Sequence, residues 1–208
     1  MSEALHSFAA LGTTWWIEIF DELSLETRTA MYHECCRRAH EFERAYSRFL
    51  PDSLVGTLNT TGQLTNPPAE FVALLRFGQS LYSATDGAFN ILLGHILSAR
   101  GYDADYAFSP QTSNNLPRPD PQTALTISDT AITLHSGAVD FGGFGKGWLI
   151  DDIARRLKTR GCTEFLINGG GDLFVTTERG RPLDIHLEHP TDPKRIIGRV
   201  PLTHQGFA

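Results

Sequence analysis

The 208-residue chain is 41% hydrophobic and sets 18 Lys and Arg against 24 Asp and Glu, a formal charge of −6. That size suits one globular domain over residues 1–208 with a substantial core, and the acidic balance argues against a broad phosphate-neutralising surface for nucleic acid. Residues 1–10 lack a basic segment followed by an apolar core, and no run approaches the ~18 apolar residues of a membrane helix, so a soluble cytoplasmic protein without membrane contact is expected.

Residues 13–20, rich in β-branched and aromatic side chains, predict an early strand. A long helix follows over residues 24–47, where Leu25, Met31, Cys35, Ala39, Phe42 and Tyr46 recur at helical spacing. Pro67 and Pro68 suit the first turn of a second helix that runs to about residue 85 and is stopped by Asp86-Gly87. Residues 102–121, with four prolines among Asn, Ser and Asp, predict a long surface loop, with a mobile cover over a site as a second reading. Residues 123–134 read as two strands turned at Ser128-Asp129, and residues 138–141 as another strand. A third helix spans 148–158, its stripe formed by Leu149, Ile150, Ile153, Ala154 and Leu157, with Gly161 as its stop. Strands over 164–167, 172–177, 183–187 and 196–200 complete the chain. This irregular order predicts an α+β fold, a mixed domain with mainly antiparallel strands and three or more helices. Cys35, Cys36 and Cys162 have neither a metal-ligand spacing nor a disulfide framework and read as reduced thiols. His186 and His189 read as solvated turn residues.

The chemistry gathers in residues 140–147, Asp-Phe-Gly-Gly-Phe-Gly-Lys-Gly. A loop with four glycines and one lysine that enters a helix lets backbone N–H groups approach an anion, and the helix N-terminus adds partial positive charge. Two familiar cradles fail the spacing. A P-loop needs Gly where Asp140 stands and Ser or Thr where Gly147 stands, and the dinucleotide fingerprint needs Gly where Trp148 stands. Two readings therefore stand for this segment: a phosphate cradle, or a glycine turn with Lys146 in solvent.

A second cluster, Asn168-Gly-Gly-Gly-Asp172, follows a predicted strand. It either forms a sharp bulge or clears room for a flat ligand, and Asp172 on its own reads as a turn cap. One helix and a short loop separate the clusters, the length of a right-handed crossover, which would bring both glycine loops to one edge of a sheet.

Residues 139–174, VDFGGFGKGWLIDDIARRLKTRGCTEFLINGGGDLF, resemble the signature of the ApbE family of FAD:protein FMN transferases, once described as thiamine-biosynthesis lipoproteins. In that family an Asp-Leu-Gly-Gly-x-x-Lys-Gly-Tyr segment is followed by an Asp, a helix and Asn-x-Gly-Gly-Asp. Three weaker blocks lie upstream in the family's order: Leu11-Gly-Thr13; Ser47-Arg-Phe-Leu-Pro-Asp-Ser53 with Leu58-Asn59; and Gly87-Ala-Phe-Asn90.

The resemblance implies a magnesium-dependent enzyme that moves FMN from FAD to a Thr or Ser hydroxyl of an acceptor flavoprotein and releases AMP. It implies that Asp140 and Lys146 hold FAD and serve the reaction, that the Gly143 carbonyl is one Mg2+ ligand, and that Ala88, Phe89 and Asn90 line the flavin site. Phe49 would take the place of an FAD-contacting Tyr and Leu11 that of an FAD-contacting Met. Leu11, Phe49 and Asn90 depart from the family's usual Met, Tyr and Asp, and Ile91-Leu92 replace Pro-Thr. A His-Ile-Ile-Asp-Pro block and an Ala-Asp-Ala-x-x-Thr segment with further metal ligands are expected after a segment like residues 206–208. The resemblance thus covers about two-thirds of the expected domain, which is read as incomplete at its C-terminus. Two rival readings remain, an FAD pyrophosphatase that yields FMN and AMP, and an FAD-binding protein without turnover.

Overall fold

The computed structural model describes residues 7–102, 116–177 and 181–208. Strands β1 (Ser7–Ala10) and β2 (Thr13–Ile19) form a hairpin with Ala10 opposite Thr13. Helix α1 (Leu25–Tyr46) is opened by Ser24, whose hydroxyl accepts the Thr27 N–H at 3.1 Å. Met31, Cys35, Ala39, Phe42 and Tyr46 are buried as the spacing requires, but Leu25 is 70% exposed, because the first helical residue lies outside the stripe.

The next elements are α2 (Leu54–Thr61), β3 (Gln63–Thr65), α3 (Ala69–Ala84), α4 (Gly94–Ala99), α5 (Pro121–Ala124), β4 (Leu125–Ile127) and β5 (Ala131–Leu134). Ser53 caps α2 by accepting the Gly56 N–H at 2.8 Å, and Gly62 ends it in the left-handed region. The sequence reading missed α2, since a short helix between Pro51 and a strand shows too few turns for a period to emerge. Pro68 is the N-cap of α3, so both prolines stand just ahead of the helix rather than in its first turn. Strands β4 and β5 pair as expected, and β3 completes a three-stranded antiparallel sheet in the order β3-β5-β4. Residues 103–115 of the expected covering loop lie outside the described residues.

Residues 138–141 do not form a strand. Leu93 and Ala138 share a single parallel bridge, while both backbone groups of Val139 bond to one side chain. The Val139 N–H donates to Asn59 Oδ1 at 2.7 Å, and Asn59 Nδ2 donates to the Val139 carbonyl at 3.0 Å. The amide replaces a neighbouring strand, which explains extended, apolar sequence without a ladder.

The chain continues with α6 (Gly145–Thr159), β6 (Phe165–Gly169), β7 (Asp172–Thr176), β8 (Leu183–His189), β9 (Asp192–Leu202) and β10 (His204–Phe207). A five-stranded sheet runs β1-β2-β6-β7-β10, all its pairs antiparallel, and β8 and β9 form a separate hairpin. Helix α6 packs on β6 and β7 through Leu149, Ile150, Ile153, Ala154 and Leu157, all buried. Gly161 follows at φ +87. The fold is thus α+β with antiparallel sheets. The expected crossover is absent, because residues 138–141 join no sheet and β6 runs antiparallel to both neighbours.

Two compact units emerge, residues Met1–His40 with Gly145–Ala208, and residues Glu41–Phe144. In the first, alternate residues Trp15, Ile17 and Ile19 of β2 are buried with Phe165, Ile167, Leu173 and Val175. In the second, Leu58, Phe71, Leu74, Leu75, Leu92 and Ile132 are buried. All three cysteines are free thiols. His186 is exposed on β8 opposite Arg199, and His189 accepts from the Thr191 N–H beyond the strand. Among the described residues no helix is long and apolar enough to cross a membrane.

Candidate functional site

In the first unit the glycine-rich sequence after β6 makes a two-residue hairpin turn. Gly169 opposes Asp172, and Gly170 and Gly171 hold φ of +72 and +105, as a tight turn of this twist requires. Asn168 Oδ1 fixes the turn by accepting the Gly171 N–H at 2.9 Å. A side chain at Gly170 would meet Thr13 Oγ1 at 2.3 Å, and one at Gly169 would meet the Trp15 ring at 2.9 Å. The β6–β7 turn therefore lies beside the start of β2, at the same end of the sheet as the Leu11-Gly12 turn. Gly169 and Gly170 are steric requirements of that approach and Gly171 of its positive φ, so the segment is a tight turn and not a bulge.

Lys146 sits in the first turn of α6, since the helix begins at Gly145, earlier than the expected 148. Its Nζ reaches Asp172 Oδ2 at 2.6 Å. The first turn of α6 thus meets the glycine hairpin through a charge pair. Both side chains are about one-third exposed, 30% and 34%, so solvent screens the pair and an incoming anion can compete for the ammonium at small cost. Asp172 does more than cap a turn. Leu11, half-buried, holds φ +53, a left-handed conformation that a branched apolar residue adopts rarely. Leu11 and Lys146 are the two expected site residues of this unit.

The second unit carries Phe49, Ala88, Phe89, Asn90, Asp140 and Gly143. Asp140 is 12% exposed at its side chain and fully engaged. Oδ1 accepts the Gly142 N–H, and Oδ2 forms an ion pair with Arg48 Nε. That contact is charge to charge, without the angle of a hydrogen bond. Arg48 also donates to Ser98 Oγ at 2.8 Å and to the Tyr102 carbonyl, and its guanidinium lies 4.1 Å from the Phe49 ring centre. One arginine therefore links two expected site residues, Phe49 and Asp140. Sequence reasoning passed over it, although it stands inside the Ser47–Ser53 block, because its partners are distant in sequence.

Gly143 lies against Phe89. A side chain at Gly143 would come within 2.7 Å of the Phe89 ring, and Phe89 meets Phe144 edge-on at 6.1 Å. Phe77 reaches Phe144 at 5.2 Å and Phe141 reaches it at 5.4 Å. Phe77, Phe89 and Phe144 stay partly exposed, an aromatic surface suited to a flat ring system. Asn90 is committed at both ends, Nδ2 to the Pro119 carbonyl at 2.9 Å and Oδ1 to the Leu92 N–H at 2.8 Å. Ala88 is exposed.

The donors do not assemble a metal centre. Among the described residues no group of three or more His, Cys, Asp or Glu side chains gathers within ligating reach. Gly143 offers a carbonyl, and the nearby Asp140 carboxylate is already held by Arg48 and Gly142.

The chain is similar to known proteins along nearly its whole length. It is 21% identical to the FAD:protein FMN transferase of Haemophilus influenzae, covering 95% of this chain and 62% of that protein. It is 25% identical to the FAD:protein FMN transferase of Rhodobacter capsulatus, covering 94% of this chain and 39% of that one. The chain thus spans about three-fifths and two-fifths of these relatives. Among solved structures, the ApbE protein of Thermotoga maritima superimposes with a TM-score of 0.77 at 16% identity, over 96% of this chain and 67% of that one. The flavin transferase ApbE of Vibrio cholerae gives 0.72 at 19% identity, over 94% and 66%. With residues 11–208 matching the family's sequence profile, the chain belongs to the ApbE family.

Proposed function

We propose that this protein is an FAD:protein FMN transferase, taking FAD as substrate and a protein bearing a Thr or Ser hydroxyl as acceptor. The carrying observation is the meeting of Lys146, in the first turn of α6, with Asp172 of the glycine hairpin. A lysine there, at the N-terminal end of a helix, is suited to the diphosphate of FAD. In this reading Lys146 exchanges its carboxylate partner for phosphate oxygens. The surface of Phe77, Phe89 and Phe144, with Ala88 and Gly143 beside it, suits the isoalloxazine ring. Leu11 and Phe49 are further proposed contacts, whereas Asp140 acts by holding the glycine loop through Gly142.

In the reaction the acceptor oxygen forms a bond to the phosphorus of the FMN half. The bond from that phosphorus to the bridging oxygen breaks, AMP departs with the electron pair, and the hydroxyl proton is lost to solvent. Positioning and charge neutralisation supply most of the rate in such transfers. Lys146 contributes by stabilising charge on the phosphate oxygens. Magnesium is an expectation of the family resemblance, and since the residues described above do not make a metal centre, no step is assigned to it.

The test is incubation of the gene product with FAD, magnesium and an acceptor carrying an Asp-Gly-x-Thr-Gly-Ala-Thr-like segment. AMP with a fluorescent acceptor band is the expected result. AMP with free FMN would make the protein a pyrophosphatase, and bound FAD without AMP would make it a binder. Lys146→Ala is expected to weaken FAD binding about 10-fold or more, the scale of one charge-assisted contact, measured by flavin fluorescence titration.

A further inference from the structure

Along α6 from Lys146, the side chains of Glu34, Asp152, Arg155, Arg156, Thr159 and Arg160 line an open cleft of about 420 Å3 between α1 and α6. Arg156 and Arg160 lie 10 and 14 residues beyond Lys146, ~15–20 Å along the helix at its usual rise, so the cleft is separate from the glycine turns. The spacing of 152, 155, 156 and 159 puts these α6 residues on one face, and Arg160, the next residue after the helix, continues it.

The cleft is organised from below by a buried carboxylate. Asp152, 8% exposed, receives Arg38 Nε at 2.6 Å and Arg156 Nε at 2.9 Å on Oδ2, and Arg155 Nη1 at 2.9 Å on Oδ1. Arg160 pairs with Glu34. Three lining guanidinium groups thus face two carboxylates, and Asp152 is shared with Arg38 beneath, leaving the cleft positive on a chain whose formal charge is −6. Three cations held within two helical turns repel one another unless an anion offsets them. The surplus also exceeds what the negative end of α6 can absorb, about half a charge.

The arginines are set to bind. Their side chains remain 71%, 45% and 54% exposed at Arg155, Arg156 and Arg160. Each pairs with its carboxylate through a single nitrogen, and a guanidinium has five N–H donors in a planar fork that matches phosphate oxygens. Asp152 and Glu34 fix the inner edges of these forks and turn the outer edges to solvent. We propose that this cleft is a second anion site, taking a phosphate-bearing small molecule. Its volume falls in the range of small-ligand pockets.

The experiment titrates the full chain with inorganic pyrophosphate and, separately, with AMP. Binding is followed by calorimetry and by the NMR resonances of the arginine Nε–H groups. The wild type is compared with Arg156→Gln/Arg160→Gln, with Arg155→Gln, the most exposed of the three, and with Lys146→Ala. Circular dichroism and the thermal midpoint report that each variant is folded, and retained FAD binding adds to this for the arginine variants. Pyrophosphate affinity is expected to fall about 10-fold or more in the double variant and less in Arg155→Gln, while in Lys146→Ala pyrophosphate still shifts the Arg155, Arg156 and Arg160 Nε–H resonances. A parallel fall for AMP would show that the phosphate can arrive on a nucleotide, and a fall for pyrophosphate alone would point to the inorganic anion. Binding lost in Lys146→Ala but intact in the arginine variants would overturn the proposal by assigning the anion to the glycine turns. So would the absence of binding by either anion, or binding of a tetraglutamate peptide in their place.

Discussion

At single residues, the conformation of Leu11 and the partners of Arg48 carry separable consequences. Leucine at φ +53 is held in a region that costs L-residues about 1 kcal/mol, and such outliers persist where the surroundings require them. Leu11→Asn, which tolerates this conformation, is expected to stabilise the fold by about 0.5–1 kcal/mol in urea unfolding. If the side chain also touches flavin, the same variant weakens FAD binding, so stability and affinity move in opposite directions. Arg48 and Asp140 make the reverse case, with side chains only 10% and 12% exposed. Removing one partner leaves a buried charge, and Arg48→Ala is expected to cost about 3 kcal/mol. Asp140→Asn should cost less, since its amide can keep a polar contact. Equal stability of Arg48→Ala and wild type would refute the assignment.

Among the elements, α6 is the informative one, because its first turn supplies the proposed phosphate contacts. Gly147 lies within the helix, and a side chain added there meets nothing within 4 Å. Gly147→Ala is therefore expected to stabilise the helix by about 0.5–1 kcal/mol. Only a ligand seated on the turn would feel the methyl group. A higher thermal midpoint with weaker FAD binding is the expected pair of results, and unchanged FAD affinity would remove Gly147 from the contact surface. The stripe of α6 and its glycine stop were legible in the sequence, since a long amphipathic helix repeats its signal over four turns. Its true start was not. Glycine at 145 and 147 argues against helix locally, and packing of the helix on β6 and β7 overrides that preference.

For the whole molecule, two ionisable groups contribute to the pH dependence of stability at its acid and alkaline ends. Burial opposes ionisation of Asp152, but hydrogen bonds and charge from Arg38 and Arg156 outweigh it and hold the carboxyl below its ordinary value. A depressed carboxyl contributes stability above its unfolded value, and this is lost as pH falls through the folded one. Asp152→Asn should lower the urea midpoint near neutrality and flatten its acid decline. Cys35 behaves oppositely. Burial, with Glu34 and Cys162 nearby, pushes its thiol from 9.0 up to about 12, so its contribution is full below the ordinary value and is lost as pH rises across that interval. Cys35→Ala should flatten the alkaline decline.

The sequence by itself determined the α+β class, the long helices, the hairpin of β4 and β5, and the glycine segments where chemistry was sought. Each of these is written in neighbouring residues as a period, a turn signal or a motif. Only the tertiary structure decided which groups meet. Asn59 satisfies the backbone of Val139 across 80 residues, Arg38 reaches Asp152 across 114, and Arg48 engages Asp140 from another part of its unit. Such pairings leave no local pattern, because charge and hydrogen-bonding capacity are properties of a residue while partnership is a property of the folded path. The same reason made residues 138–141 look like a strand: their side chains encode extension and burial, but only the fold could put an amide where a neighbouring strand was expected.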